Sequence, residues 1–156
     1  MAEKNLTALI DMAIEREEEA YVFYMDLTQK TSDPAAKDAI LFIADEEKKH
    51  KTFLENYRKE AEGGSAALQL NEVTYYNIAE HEKEPEVSEN MARENVFLLA
   101  AHRELRAHNF YRELADAHPD GEPKQMLLKM ANEELKHKEK MEYLYTNTAF
   151  GQTSGG

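Results

Sequence analysis

Cysteine is absent from the 156 residues of the chain. Its absence excludes disulfide bonds, thiolate catalysis, iron–sulfur clusters and every metal site that depends on cysteine ligands. A chain without cysteine is compatible with a reducing compartment. Any metal site in this chain must therefore be built without thiolate ligands.

Glycine and proline are scarce, with 6 and 4 residues, whereas hydrophobic residues make up 42% and charged residues 32% of the chain. This composition favours a helical, soluble protein. The length is sufficient for one domain with a sizeable hydrophobic core.

Basic residues are outnumbered, because 19 Lys and Arg face 31 Asp and Glu, which gives a net charge of −12. No basic cluster is visible, so the sequence predicts no nucleic-acid partner. The acidic balance suits a protein that attracts cations. No apolar run approaches the roughly 18 residues of a membrane helix. The opening residues MAEKNLTALI also lack the pattern of a signal peptide. These features predict a cytoplasmic protein with no membrane partner.

The chain repeats itself at an offset of 87 residues. When residues 10–58 are placed on residues 97–145, 17 of the 49 positions are identical. This composition would give only about four identities by chance. The stretches EEKKHK at 46–51 and EELKHK at 133–138 fall on each other. We infer an internal duplication.

Each half of the duplication is predicted to form two helices. TSDPA and HPDGEP separate the helices of each half, and proline at a first helical position fits a helix start. Because both connections are short, each half should be an antiparallel hairpin, and the chain an all-α antiparallel four-helix bundle. The predicted helices span residues 5–30, 34–62, 88–117 and 122–146.

Residues 63–87 join the two hairpins. They begin with GGS and contain Pro85, and they form a crossover long enough to pass from one end of a bundle to the other. Within this crossover, LNEVTYYNIAEHE predicts a short helix. The last six residues, GQTSGG, predict a disordered tail. We therefore expect one bundle domain over residues 1–148 and a tail over residues 149–156.

Each predicted helix has an apolar stripe at helical spacing, and each stripe is interrupted near its middle by a glutamate. A Glu-x-x-His motif alone is weak evidence, because about one is expected by chance in so acidic a chain. Its position inside a buried stripe is stronger evidence, since residues i and i+3 lie on one helix face. The polar residues within the four stripes are Glu17, Glu47, His50, Glu104, Glu134 and His137.

Four ionised carboxylates cannot lie in a bundle core without compensation. Each would cost several kcal/mol, against a whole-domain stability of about 5–15 kcal/mol. One Glu from each of two helices and Glu-x-x-His from the other two match a carboxylate-bridged two-metal site. Each metal could take one histidine and one terminal glutamate, with two glutamates bridging, and such ligands suit iron, manganese or zinc. The alternative is a metal-free bundle in which these side chains form hydrogen-bonded core pairs or point outward.

In the first helix of each half, a tyrosine follows the glutamate of the apolar stripe by seven residues. With this addition, the chain resembles the rubrerythrin branch of the ferritin-like superfamily over nearly its whole length, except for the crossover and the tail. The residues of the resemblance are Glu17, Tyr24, Glu47 and His50 in the first half, and Glu104, Tyr111, Glu134 and His137 in the second.

The resemblance implies a ferritin-like fold and a di-iron centre with two iron ions per chain, bridged by Glu47 and Glu134. It implies that Glu17 with His50, and Glu104 with His137, complete the two metal sites. The family typically reduces hydrogen peroxide or oxidises ferrous iron. The resemblance also implies an oligomer, expected to be a homodimer, which could exchange helices through the GGS hinge.

The chain departs from the family pattern in two ways. Many rubrerythrins have a rubredoxin domain with four cysteines, so electrons here must come from a separate donor such as a rubredoxin-like protein. Many also have an extra glutamate about one turn after the glutamate of the third helix, where this chain has Ala107 and His108. This second departure puts the ligand-switching peroxidase mechanism in doubt. We interpret His108 as a surface residue rather than a ligand at the rim of the site.

Tyr24 and Tyr111 lie two helical turns beyond Glu17 and Glu104, and two roles are open to them. They could hydrogen-bond the metal ligands or take part in redox chemistry, or they could be core aromatic residues with satisfied hydroxyls. The remaining histidines have no inward-facing partner and are interpreted as surface residues, namely His81, His102 and His118.

Three functions follow from these patterns. The leading hypothesis is a non-haem di-iron oxidoreductase that reduces hydrogen peroxide, or dioxygen, with electrons from an external donor. The second is ferrous iron oxidation with iron binding and detoxification. The third is a structural or partner-binding bundle that holds zinc, which is redox-inert, or no metal.

Overall fold

The computed structural model describes residues 2–60 and 79–149, which form four long helices and contain no strand. Helix α1 spans Ala2–Leu27 and continues into a 3-10 turn over Thr28–Lys30, α2 spans Pro34–Glu60, α3 spans Arg93–Asp116 and α4 spans Glu122–Ala149. The predicted all-α four-helix bundle is confirmed, with a long gap between α2 and α3. The closest packing is within the two hairpins, α1 with α2 and α3 with α4.

The first hairpin turns at Asp33, which caps α2. Its side-chain Oδ2 accepts a hydrogen bond of 2.8 Å from the backbone N–H of Ala36, and Pro34 occupies the first helical position. Such a cap satisfies an N–H that the first turn of a helix leaves without a partner. The second hairpin turns at Gly121, whose φ of 151° favours glycine. Both predicted hairpin connections thus lie where the sequence placed them.

The prediction that the third helix begins at residue 88 is wrong, since α3 begins at Arg93. Asn90 has a φ of 57°, which a continuing helix cannot contain. Met91 is also held by the first hairpin: its N–H donates to the carbonyl of Lys30 over 2.6 Å. The carbonyl of Met91 in turn accepts from the hydroxyl of Thr31 over 2.8 Å. The helix therefore starts only after this strap across the α1–α2 turn.

Several sequence predictions fall on residues outside the described ranges. They are the GGS hinge, most of the short helix in the crossover, and the disordered tail. The described end of that predicted helix, residues 79–82, forms turns and a bend instead.

The bundle core has two apolar clusters separated by a polar layer. One cluster includes Tyr24, Ile40, Phe97 and Met141. The other, nearer the opposite end, includes Ile10, Leu54, Tyr111 and Met130. The glutamates and histidines of the four stripes lie between them, so a dry apolar environment bounds this layer on both sides. No helix in the described ranges is both long and apolar enough to cross a membrane.

Candidate metal centre

The six polar residues of the stripes meet in the middle of the bundle. None of them is more than 5% exposed. α1 and α3 each contribute one glutamate, and α2 and α4 each contribute a glutamate and a histidine one turn apart. The buried positions are Glu17, Glu47, His50, Glu104, Glu134 and His137.

Both histidines point their Nδ1 atoms into the carboxylate cluster. Nδ1 of His50 lies 2.9 Å from Oε1 of Glu134, 3.5 Å from Oε1 of Glu47 and 3.7 Å from Oε1 of Glu17. The two imidazole rings stack face to face, with ring centroids 5.4 Å apart. Their Nδ1 atoms are therefore presented side by side to the same group of oxygens.

His137 repeats this arrangement from the other hairpin. Its Nδ1 lies 3.5 Å from Oε1 of Glu47, 3.5 Å from Oε1 of Glu104 and 3.9 Å from Oε1 of Glu134. The duplication seen in the sequence is thus also a near-symmetry of the site. Each histidine contacts its own terminal glutamate and both central ones.

Two sets of four potential ligand atoms result, each set lying within 4.8 Å. The first set is Glu17, Glu47, His50 and Glu134, and the second is Glu47, Glu104, Glu134 and His137. The two sets share Glu47 and Glu134, while each has its own histidine and its own terminal glutamate. An acidic cluster with this division suits two adjacent cations bridged by two carboxylates.

Many polar atoms of the cluster have no hydrogen-bond partner among the described residues. They include Oε1 of Glu47, Oε1 of Glu104, both carboxylate oxygens of Glu134 and Nδ1 of both His50 and His137. The 2.9 Å approach of His50 to Glu134 lacks hydrogen-bond alignment. Buried polar atoms in proteins are almost always hydrogen-bonded, because an unpaired one costs about 1–3 kcal/mol. Orphaned oxygen and nitrogen atoms that converge in this way fit cation binding.

The pKa values of the buried glutamates and histidines are also shifted by their crowding in the core. Burial, followed by the nearby charges of Glu104 and Glu17, raises the pKa of Glu47 to about 8. Burial, followed by Glu104 and Glu47, also raises the pKa of Glu134. Burial lowers the pKa of His50, but contacts with Glu133, Glu134 and Glu17 outweigh it and raise the pKa overall. Without a cation, this layer therefore retains protons, which metal ions would displace on binding.

A second pair of glutamates lies on the outer side of the histidines. Oε1 of Glu133 is 3.7 Å from Nε2 of His50, and Oε1 of Glu46 is 3.7 Å from Nε2 of His137. The histidine contact is the main cause that lowers the pKa of each of these carboxyl groups to about 2. Metal-bound histidines usually donate their second N–H to such a carboxylate. Sequence reasoning missed these two residues, although both are identical in the duplication.

The two tyrosines flank the cluster. The hydroxyl of Tyr111 donates a 2.8 Å hydrogen bond to Oε1 of Glu17 on the facing helix. Burial, then the charge of Glu17, raises the pKa of Tyr111 well above its usual value, and burial followed by Glu104 does the same for Tyr24. Both phenols are thus protonated at neutral pH, and the hydrogen bond from Tyr111 fixes the orientation of a terminal glutamate.

A cavity of about 170 Å³ opens beside the cluster, between α1 and α3. Glu47 and Glu134 line it, as do the small side chains of Ala20 and Ala107. Its lining also includes Glu17, Tyr24, Glu104 and Tyr111, together with the arginines Arg16, Arg103 and Arg106. Small molecules can therefore approach the carboxylate layer from this side.

The other histidines stay away from the cluster. Nδ1 of His108 lies 2.8 Å from the carbonyl oxygen of Ala131 on α4, and the ring is half-buried rather than on the surface. His102, also predicted as a surface residue, is half-buried, with Nε2 2.8 Å from the carbonyl oxygen of Glu82. His118 is half-buried as well, and His81 is exposed. The surface interpretation is thus right for His81 alone.

Comparison with known proteins agrees with this architecture. The family model described as Rubrerythrin matches residues 1–58 and 95–153, which contain all six residues of the cluster. The unmatched stretch coincides with the crossover between the hairpins. No curated protein and no solved structure matches the chain. The match covers most of the sequence, and the chain belongs to the rubrerythrin family.

Proposed function

We propose that this chain is a di-iron oxidoreductase that reduces hydrogen peroxide with electrons from an external donor. Membership of the rubrerythrin family implies a di-iron oxidoreductase, and the Glu/His cluster fits a metal site. The observation that most supports a pair of metals is the sharing of Glu47 and Glu134 by two otherwise separate ligand sets.

In this proposal each iron has one histidine and one terminal glutamate of its own. Glu17 with His50 would hold one ion, Glu104 with His137 would hold the other, and Glu47 and Glu134 would bridge them. The proposal leaves Tyr111 in place as the donor that orients Glu17. It also accounts for the orphaned oxygens, because they would become ligand atoms.

When bound as ferrous ions, the two metals supply two electrons and act as Lewis acids toward an O–O bond. Peroxide reduction consumes two electrons and two protons and releases two water molecules. The chain contains no cysteine, so it cannot hold the cysteine-ligated iron that would refill the site from within. A separate redox protein, such as a rubredoxin-like donor, would return the electrons. The residues of the chain would hold the ions between two apolar clusters, and the cavity between α1 and α3 gives access to them.

The test is to load the purified chain with ferrous iron under anaerobic conditions and to measure iron per chain. One equivalent of hydrogen peroxide is then added, and the near-ultraviolet absorbance of the ferric product is followed. We expect two irons per chain and oxidation much faster than that of free ferrous iron in the same buffer. Zinc-loaded protein is the control, because zinc cannot be oxidised.

Each outcome separates the candidate functions. Two irons that react with peroxide no faster than free iron contradict peroxide reduction and leave a structural metal-binding role. Iron that accumulates far beyond two per chain during aerobic addition supports ferrous iron oxidation and detoxification instead.

A further inference from the structure

The cavity between α1 and α3 is bordered by two arginines that the duplication places in equivalent positions. Arg16 on α1 lies over the ring of Phe110 on α3, with 4.0 Å from Cζ to the ring centroid. Arg103 on α3 lies over the ring of Phe23 on α1, with 3.7 Å between the same points. Each guanidinium therefore crosses from its own helix to the facing one, and the stacking holds both charges at the borders of the cavity.

Among the residues that the structure describes, neither arginine forms an ion pair or a hydrogen bond with a carboxylate, and Arg103 acts on Glu84 only through its charge, which helps to lower the pKa of Glu84. This is unusual in a chain with 31 acidic and 19 basic residues, in which the other arginine of the cavity, Arg106, pairs with Glu84 through its two terminal guanidinium nitrogens. An arginine stacked on a ring still presents N–H donors around the edge of its guanidinium plane, and these suit a planar oxyanion. Two unpaired cations at one opening therefore indicate an anionic ligand.

The charge of the cavity depends on the metals, so this argument rests on the proposed di-metal function. Two divalent ions would balance the four glutamates of the cluster. Arg16 and Arg103 would then give the cavity an excess of positive charge that Glu19 offsets only in part.

We propose that this cavity binds a small monocarboxylate, of the size of formate or acetate, between the arginine pair and the metal centre. Ala107 provides the space, because a methyl group stands at the cavity wall one turn after Glu104. Ala20 is its equivalent on α1. The ligand would supply from solution a carboxylate that this chain does not have at that position.

The experiment uses the full chain loaded with cobalt(II), whose unpaired electrons broaden the NMR signal of a nearby nucleus. ¹³C-acetate is titrated, and zinc-loaded protein serves as the diamagnetic reference. We expect saturable broadening for cobalt-loaded wild-type protein. Replacing both arginines, as R16Q/R103Q, should raise the acetate Kd about tenfold, since each charge acts at short range in a partly dry site. R16K/R103K keeps the charges and should recover most of the affinity.

Two further variants separate the site from a general charge effect. R112Q/K59Q removes the same number of positive charges from exposed positions outside the cavity and should leave the acetate Kd unchanged. A107E places a carboxylate of the chain itself in the cavity and should abolish acetate binding while two cobalt ions per chain remain bound.

The outcomes distinguish this inference from the proposed function. A chain that binds no cobalt overturns the metal centre and the carboxylate site together. A chain that binds two cobalt ions but shows no saturable broadening overturns the carboxylate site alone. Equal acetate Kd values for wild type and R16Q/R103Q would overturn it as well.

Discussion

Identical residues at equivalent positions of the two halves lie in different environments. In the first half, Lys51 follows His50, is about a third exposed and pairs with Glu18 over 2.7 Å. In the second half, Lys138 follows His137, and its side chain has no exposed surface. Lys138 lies 2.8 Å from Glu80 and 3.1 Å from both Glu139 and Glu142.

The difference comes from what covers each helix. Residues just before α3 pass over α4, where the backbone N–H of Ala79 donates a 2.6 Å hydrogen bond to Oε2 of Glu142. Glu55, the equivalent of Glu142 in the first half, is exposed on α2. Burial of these charges is thus decided by Ala79 and Glu80, which contact Glu142 and Lys138 on α4.

The Lys138 cluster also clarifies the central one. Both clusters bury several carboxylates. In the cluster around Lys138, the lysine itself supplies a cation that pairs with them. Burial lowers the pKa of Lys138, but the contacts with Glu80, Glu142 and Glu139 together outweigh it, so that the pKa is raised overall. Among the described residues, the four glutamates of the central cluster have only His50 and His137 as ion-pair partners. The comparison indicates that the central cluster, which has no lysine of its own, depends on protons or bound cations for its compensation.

The strongest test of this contrast removes the carboxylates shared by both ligand sets. We expect the E47Q/E134Q variant to bind no iron or zinc, because each metal would lose two of its four protein ligands. Metal content after loading and desalting measures the effect. An E55Q/E113Q control, which changes two exposed glutamates, should retain wild-type stoichiometry. Unchanged metal content in E47Q/E134Q would contradict the ligand assignment.

The next largest effect should come from removing the cation that the protein supplies itself. We expect K138M to lower the free energy of unfolding by about 3 kcal/mol, since Glu139 and Glu142 would stay buried without it. This value is at the lower end for a buried pair because Glu80 reaches solvent. Denaturant titration of the metal-free protein measures the change.

K51M is the matched control for that experiment, because Lys51 occupies the equivalent position. We expect no measurable change, since its pair with Glu18 is open to solvent. Equal destabilisation by K51M and K138M would show that burial of Lys138 under the segment before α3 does not make it more important for stability than Lys51. Metal stoichiometry should stay at wild-type level in both variants.

The residues of the central cluster could be predicted because two independent patterns fix them. Helical periodicity identifies which side chains face the core, and the duplication requires each inward polar residue to occur twice. All six residues that these patterns identify are buried together. The hairpin turns were equally accessible, since Asp33 and Gly121 determine local backbone geometry by themselves.

Other features depend on contacts that no local pattern contains. The start of α3 is set by Met91 binding the turn of the other hairpin, and the burial of Lys138 is set by residues before α3. Arg16 and Arg103 are exposed or half-buried positions, so a search for core residues passes over them. Their identity in the duplication, together with that of the phenylalanines they stack on, was a usable signal.

The smallest effect concerns Glu46 and Glu133, where the two halves should behave alike. Each faces the outer nitrogen of the histidine on the opposite hairpin at 3.7 Å. The negative charge of each glutamate holds the imidazole in place and makes the imidazole a better metal ligand. Replacing either residue with glutamine removes that charge. We expect E46Q and E133Q each to weaken metal binding by about tenfold. Competition with a chelator measures this, and the unfolding free energy of the metal-free protein reports any loss of stability. A clear inequality between the two variants would mean that the near-symmetry of the cluster does not extend to its outer side, because both glutamates have the same distance and the same lowered pKa.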